Sequence, residues 1–363
     1  MLPLKGMTMK ILQVIPYFCF GGAETMCENL TYALKKMGHE VTVVSLYQER
    51  TPIAQRMEAS GVNVLYLDKK LGLDVSMVGK LAKIMKQEKP DVVHTHLDVI
   101  KYAVAAAKLS GVKKCVHTVH NVADKEAEGR LQKMINGTYF RLGWSVPVAL
   151  SPMVQKTIVD FYNLEEAKVP MVYNGVDLSR CVPKGDYSAN GFTLVHIGRF
   201  NEQKNHDGLL RAFQLVVEQH PDCRLNLLGD GELREKTEAL AKELGISEKV
   251  HFLGSQSNVY PYLNEADVFL LPSRYEGMPM TIIEAMGTGL PVVAANVGGV
   301  PDMIEHGVSG MLTTSEPESV AAAVKALLED QSLREKLGTN AKKDSKRFSA
   351  EFMAEEYCRI YKM

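Results

Sequence analysis

The chain has 363 residues, 46% of them hydrophobic and 23% charged, which is long enough for two globular domains and too apolar for a disordered or collagen-like polymer. Its formal net charge of −1 excludes a polycation built for nucleic acid, although residues 1–178 carry +5 and the remainder −6. Cys19, Cys27, Cys115, Cys181, Cys223 and Cys358 are scattered without a CxxC or a zinc-ligand spacing, as in reduced intracellular proteins, and no apolar run approaches the ~18–20 residues of a membrane span.

Lys5 and Lys10 precede the apolar stretch Ile11–Phe20, but Pro16 interrupts it and Gly21-Gly22-Ala23-Glu24 leads into an amphipathic pattern. A loose leader over 1–8 and a buried first strand from Met9 are therefore expected, rather than a signal peptide. Short Val/Ile/Leu-rich runs then read as strands at Met9–Ile15, Val41–Ser45, Val62–Tyr66, Asp91–Thr95, Cys115–Val119, Val146–Leu150 and Val169–Tyr173. Helical periodicity fills gaps at Ala23–Met37, Ser76–Glu88, Val99–Leu109 and Pro152–Tyr162. Asn174-Gly175-Val176-Asp177 is a turn signal, and Val182–Gly191 is rich in Pro, Gly, Ser, Asp and Asn. The alternation restarts with strands at Phe192–Ile197, Cys223–Leu228, Val250–Leu253, Asp267–Leu271 and Pro291–Ala294. Helices at His206–Gln219, Leu233–Leu244, Met280–Met286, Pro317–Leu328, Ser332–Phe348 and Ala350–Tyr361 accompany them. Continuous apolar strands imply parallel sheets covered on both faces. The expected architecture is two doubly wound α/β domains, 1–178 and 179–348, facing across a cleft, with ligands beyond the carboxyl ends of the strands.

Polar residues just after strands are the candidates for chemistry. Gly21-Gly22 opens a helix, where unpaired N–H groups can meet an anion, or is simply a tight turn. Gly229-Asp230-Gly231 and Gly287-Thr288-Gly289 begin GxGxxG patterns but fail at Arg234 and Val292, and neither opens a helix after a strand in the way the fingerprint requires. That argues against a nicotinamide oxidoreductase. The absence of an Asp-x-Asp weakens a metal-dependent reading. His94 and His96 end one strand on a common face, and His117-Thr118-Val119-His120-Asn121 ends the next. Satisfied structural histidines are the ordinary alternative there, and no neighbouring carboxylate pattern completes a metal site. Gly198, Arg199 and Lys204 follow a strand and suit a diphosphate, or form a solvated cationic loop. In Pro272–Gly287, Glu276 lies in a loop and Glu284 eight residues on in a helix, with a helix N-terminus between them that can hold phosphate oxygens. Glu284 could accept ribose hydroxyls or complement the helix dipole. Glu276 could meet a sugar or the positive charge developing at an anomeric carbon, or cap the helix.

In order along almost the whole chain, roughly Met9 to Tyr361, the segments Gly21–Glu24, Pro90–His96, His120-Asn121, Tyr173–Asp177, Ile197-Gly198-Arg199 with Lys204, Leu228–Gly231, Glu276 with Glu284, Glu284–Ala294 and Val297–Asp302 resemble the retaining GT-B glycosyltransferases of family 4. The resemblance implies a C-terminal domain that binds a nucleoside diphosphate sugar and an N-terminal domain that binds the acceptor. Arg199 and Lys204 would hold the diphosphate and Glu284 the ribose, with Gly198, Leu253, Gly277, Met278, Met280 and Thr281 also on the donor. Gly21 and Gly22 would approach the phosphate from the N-terminal domain. His120 and Glu276 would flank the transferred sugar as the catalytic pair, with His96 and Asn121 on the acceptor side. It further implies retention by a front-face route, no cofactor and no metal, and a crossover helix in 349–363 that returns to the N-terminal domain. Met278-Pro279-Met280 departs from the family, many members of which carry a bulkier aromatic-glycine loop, and this bears on the sugar contacts rather than the reaction class.

A UDP-sugar is the favoured donor and GDP-mannose the second choice; the acceptor is expected to be a glycan or lipid-linked hydroxyl in polysaccharide or glycolipid synthesis, in the cytoplasm at the inner face of the plasma membrane. Lys80, Lys83, Lys86 and Lys89 beside Met77, Leu81, Ile84 and Met85 read either as a basic helix lying on anionic lipid or as an ordinary surface helix with its apolar stripe in the core. The competing functions are an epimerase or phosphorylase on the same fold, and a nucleotide-sugar-binding protein without transfer activity.

Overall fold

A computed structural model of the chain describes residues 8–18, 21–127, 129–188 and 191–363. The leader over 1–7, Cys19, Phe20 and positions 189–190 of the expected connector lie outside the described residues. The chain divides into two compact units, one running to Gly175 and resuming at Ala350–Met363, the other spanning Val176–Ser349.

The first unit holds β1 (Lys10–Ile15), β2 (Glu40–Ser45), β3 (Asn63–Tyr66), β4 (Val92–His96), β5 (Lys114–Thr118) and β6 (Val146–Val148) in one parallel sheet of order β3-β2-β1-β4-β5-β6. The second holds β7 (Thr193–Ile197), β8 (Arg224–Leu228), β9 (Val250–Gly254), β10 (Val268–Leu271), β11 (Val292–Ala295) and β12 (Met311–Thr313), ordered β12-β11-β10-β7-β8-β9. Each sheet starts in its middle and winds outward both ways, so the direction of winding reverses between β1 and β4, and between β7 and β10. Adjacent connections there leave over opposite faces and open a crevice at the carboxyl ends of the strands. Leu12, Val14, Val44 and Val93 of the first sheet pack on Met77, Leu81 and Ala103. Leu194, Leu225, Leu227 and Leu270 of the second pack on Phe213 and Val324.

Helix boundaries follow local chemistry. Ser151 caps Pro152–Tyr162 by accepting from the Val154 N–H at 3.2 Å, with Pro152 at the first turn. Helix Ser76–Glu88 ends at Lys89 in the left-handed region, before Pro90. Its apolar stripe, Met77, Leu81 and Met85, is buried in the core, and Lys83, Lys86 and Lys89 are exposed, which is the ordinary surface-helix arrangement.

Several elements differ from the sequence reading. Val169–Tyr173 is not a strand: only Met171 bridges to Ala149, because Pro170 has no N–H to extend a ladder. Strand β12 and helices Pro52–Ala59, Ala123–Glu126, Arg130–Arg141, Tyr260–Glu265 and Val300–Met303 were not legible, being short or, in Arg130–Arg141, largely polar with an internal glycine. Gly229-Asp230-Gly231 lies between a strand, β8, and a helix, Arg234–Glu243, as the expected elements placed it, with Arg234 in place of the third glycine. The units divide at 175/176 and 349/350 rather than after 178 and 348. Val176 donates its N–H to the Phe348 carbonyl at 3.0 Å and bridges Ser349, which ties both strands of the connection into the second unit. The final helix, Ala350–Lys362, packs in the first unit against Gly22–Lys36, where Lys36 pairs with Glu351 at 2.8 Å.

Candidate active site

In the second unit, the loops after β7 and β10 are knitted together at the reversal point. Asn201 caps a single 3-10 turn, Glu202–Lys204, by accepting from the Lys204 N–H at 3.2 Å. That turn directs Lys204 Nζ onto Glu276 Oε1 at 2.5 Å, with the two side chains only 15% and 5% exposed. Gln203 Nε2 donates to the other carboxylate oxygen at 3.3 Å and to the Tyr275 carbonyl at 3.0 Å, while the Arg274 N–H donates to the Gln203 carbonyl at 2.8 Å. Asn205 Nδ2 donates to the carbonyls of Pro272 and Ser315. Such a buried ion pair holds its partners in one geometry, and removing either would leave an uncompensated charge.

Glycines bring these loops close. Gly298, at φ +57°, lies against the Glu276 backbone so tightly that a Cβ would sit 1.7 Å from the Glu276 carbonyl oxygen. Gly229 lies against Gly198 in the same way, where a Cβ would meet the Gly198 carbonyl oxygen at 2.0 Å. The Gly198 N–H donates to the Leu228 carbonyl at 2.9 Å.

Gly277, Met278 and Met280 are buried in the turn that enters helix Met280–Thr288. No side chain caps this helix and no acid occupies its first turn, so its end carries unpaired N–H groups and the positive end of the dipole. The buried Thr281 hydroxyl has no protein partner among the described residues. Glu284 is 8% exposed. Burial pushes its carboxyl up from 4.5 to about 7, partly offset by Arg180, whose guanidinium stacks 4.7 Å over the Tyr260 ring. A folded-state value above the unfolded one stabilises the protein fully below about 4.5, and this stabilisation is lost as pH rises through about 7. Glu284→Gln is therefore expected to flatten the fall in unfolding free energy between those pH values by roughly 2–3 kcal/mol, measured by denaturant titration across pH. An unchanged slope would show that burial does not raise the Glu284 carboxyl above its unfolded value.

Not all expected donor residues join this cluster. Arg199 is two-thirds exposed and lies 3.7 Å from Glu232. Leu253 is half-buried in β9, its carbonyl accepting from Gln256 Nε2 at 2.6 Å.

In the first unit, the candidates gather at the ends of β4 and β5. His120 follows β5 and is partly buried. The Glu126 carboxylate accepts from the backbone N–H of His120, and from that of Asn121 at 3.0 Å, and its other oxygen is 3.3 Å from His117 Nε2. The carboxylate missing from the sequence pattern is therefore present, but it clamps the loop. Among the described residues, no three His, Cys, Asp or Glu side chains converge to hold a metal ion. Gly21 is the N-cap of helix Gly22–Lys36; Gly22 is exposed, and Glu24 folds back over Gly21. His96, expected on the acceptor side, is wholly buried, with Nδ1 3.0 Å from His120 Nε2 and Nε2 3.0 Å from Gln13 Oε1, so both ring nitrogens are engaged within the protein. His94 is likewise buried, bonded to Tyr361 Oη and Thr118 Oγ1 at 2.7 Å each.

The family model for group 1 glycosyl transferases matches residues 184–344, and that for glycosyltransferase family 4 matches residues 20–180. The chain belongs to the family 4 glycosyltransferases of the GT-B fold. An uncharacterised glycosyltransferase of Methanocaldococcus jannaschii is 27% identical over 94% of each chain. The UDP-Gal:alpha-D-GlcNAc-diphosphoundecaprenol alpha-1,3-galactosyltransferase of Escherichia coli is 29% identical over 66% of each. The crystal structure of Anabaena HepE in complex with UDP-glucose superposes with a TM-score of 0.84 at 22% identity, covering 97% of this chain and 98% of that one.

Within this glycosyltransferase, Gln203, Arg180, Tyr260, Glu126 and Gln13 escaped the sequence reading. Gln13 carried the one usable signal, a lone amide in the otherwise apolar Ile11–Ile15. Arg180 and Glu284 are too far apart in sequence for any spacing to link them.

Proposed function

We propose that this glycosyltransferase moves a hexosyl group from a nucleoside diphosphate sugar to a hydroxyl of a glycan or lipid-linked acceptor, retaining the anomeric configuration and needing no metal. A UDP-sugar is the preferred donor and GDP-mannose the second choice. The observation that carries this reading is the buried Lys204–Glu276 pair at the β7/β10 reversal point, beside the uncapped start of helix Met280–Thr288. A fixed cation and free helix N–H groups suit a diphosphate, and a buried carboxylate suits positive charge at an anomeric carbon. The UDP-glucose bound by HepE and the donor named for the Escherichia coli relative support UDP; that relative's diphosphoundecaprenol substrate supports a lipid-linked acceptor and a role in cell-envelope polysaccharide or glycolipid.

In this reading Lys204, with Arg199 at the rim, neutralises the diphosphate, and the Gly277–Thr281 backbone meets its oxygens. Gly21 and Gly22 supply further N–H groups, Glu284 accepts from the ribose, and Asn121 lies on the acceptor side. The bond from the anomeric carbon to the phosphate oxygen breaks while the acceptor oxygen bonds to that carbon on the same face. The acceptor's proton passes to the departing diphosphate. Glu276 stabilises the positive charge in between, and His120 takes a hydrogen bond from the sugar.

Thermal-shift titration with UDP, GDP, ADP, CMP and TDP, with and without EDTA, tests this. One diphosphate is expected to stabilise the protein irrespective of EDTA, and Lys204→Ala to weaken that ligand by more than tenfold, since charged contacts contribute about 1.5–3 kcal/mol. Exposed Arg199→Ala is expected to cost less. No shift with any diphosphate would overturn the donor site, and a shift abolished by EDTA would overturn metal independence.

No helix among the described residues is long and apolar enough to cross a membrane. Contact at an inner-membrane face would rest on the exposed lysines of Ser76–Lys89, since the apolar side of that helix is in the core. Co-sedimentation with anionic vesicles is therefore expected at low salt and lost as salt rises; no binding at low salt would refute it.

A further inference from the structure

The hydrogen bonds behind His120 form a chain with one consistent direction. Thr31 Oγ1 donates to the Cys27 carbonyl at 2.8 Å. Its single proton is thereby used, so at its 2.6 Å contact with Gln13 it accepts, and the Gln13 amide nitrogen must face it. Gln13 Oε1 is then fixed on the opposite side, where it also accepts from Cys27 Sγ at 3.4 Å. His96 Nε2, 3.0 Å from that oxygen, must carry a proton to make the bond. His96 is wholly buried, and burial among His94, His117 and His120 holds it neutral. Its Nδ1 is therefore bare, and the 3.0 Å bond to His120 Nε2 is donated by His120. Burial also holds His120 neutral, down to about 4. Its proton is spent on His96, and its Nδ1 has no protein partner among the described residues. Meanwhile Glu126 fixes the His120 backbone.

We infer that Gln13 and His96 are positioning residues that lock His120 in the Nε2–H tautomer, presenting the bare Nδ1 as a hydrogen-bond acceptor to a sugar hydroxyl. The sugar contact rests on the role proposed for His120 above; the tautomer does not. The device sits across the sheet's reversal point, since Gln13 is on β1 and His96 on β4, with Gln13 paired in register with His94. Two rigid parallel strands thereby hold the imidazole face. An acceptor at Nδ1 favours a hydroxyl over a second acceptor such as a carboxylate, so the group beside His120 is a sugar O–H.

Side-chain 15N spectra of histidine-labelled full-length protein, with His120 assigned from the signals lost in His120→Gln, test the tautomer directly. The wild type is expected to show His120 in a single neutral form with the proton on Nε2. Gln13→Leu releases His96, and His120 is expected to show mixed tautomers. Turnover should fall about tenfold while the donor KM stays nearly unchanged. His96→Leu is expected to act likewise. His96→Asn, whose amide oxygen can take the place of Nδ1, is expected to restore both the tautomer and most of the turnover. A wild-type His120 protonated on Nδ1, or a Gln13→Leu protein with tautomer and turnover unchanged, would overturn the inference without reference to the sugar. If His120→Gln kept full turnover with the tautomer as described, the proposed sugar contact would fail and the lock would stand.

Discussion

Glu276→Gln is expected to lower turnover by about 10²–10³-fold while tightening the nucleoside diphosphate severalfold. The side chain is buried, its carboxylate is paired with Lys204 at 2.5 Å, and Gln203 holds the second oxygen. Glutamine keeps the shape and one acceptor oxygen, enough for the Lys204 contact, but removes the charge and puts an amide NH2 where Gln203 donates. A preorganised charge facing a transition state is worth about 3–4 kcal/mol, which sets the loss in turnover. The gain in affinity has a separate origin. In the ligand-free protein Lys204 is already neutralised, so an incoming diphosphate must share its cation with Glu276 and sits near a like charge. Relieving that like-charge repulsion over roughly 10 Å, at an effective dielectric of about 20, is worth on the order of 1–2 kcal/mol. Single-turnover kinetics and isothermal titration with the selected diphosphate measure the two effects. A parallel loss of both would place Glu276 in diphosphate binding instead of in the stabilisation of the reacting sugar.

Gly298→Ala is expected to cost more than 3 kcal/mol of stability in the second unit, or to displace the Glu276 loop and abolish activity. Two causes combine. The residue sits in the left-handed region at φ +57°, which costs an L-residue about 1–2 kcal/mol. Its Cβ would also lie 1.7 Å from the Glu276 carbonyl oxygen, so backbone must move. The Gly299 N–H bond to the Gly277 carbonyl at 3.0 Å would be lost with that movement. Gly307→Ala provides the comparison: its φ is +73°, but nothing lies within 4 Å of a Cβ, so only the conformational cost of about 1–2 kcal/mol applies. Thermal unfolding and diphosphate titration of the two variants separate strain from collision. Equal behaviour would show that the Glu276 loop yields freely and that the close approach does not position the carboxylate.

These predictions draw on the sequence and on the fold in different proportions. Strands such as Val268–Leu271 and Val292–Ala295 were legible because a parallel strand buried on both faces is a continuous apolar run. Helices such as Pro152–Tyr162 were legible because capping residues and 3.6-residue periodicity are local properties. The two-unit plan, the candidates Lys204, Glu276, Glu284 and His120, and the family itself were likewise present in the order of short segments along the chain. Strand Met311–Thr313 was not, because three residues carry no period; nor was the failure of Val169–Tyr173, where one proline outweighed an apolar run.

Which side chains meet is set by long-range packing and cannot be read from local sequence. Lys204 and Glu276 are far apart in sequence and belong to loops after two different strands; nothing local distinguishes Lys204 from the neighbouring Arg199, which stays exposed. The resemblance implied an acceptor-side place for His96, and its burial behind His120 follows from packing between β1, β4 and β5. Arg180 and Tyr260 reach Glu284 only through the winding of the second sheet. The sequence determined the backbone plan because hydrophobic periodicity and turn chemistry act over a few residues. The pairing of charges, the direction of buried hydrogen bonds and the protonation of Glu284 and His120 depend on long-range burial, and that exists only once the sheets have formed.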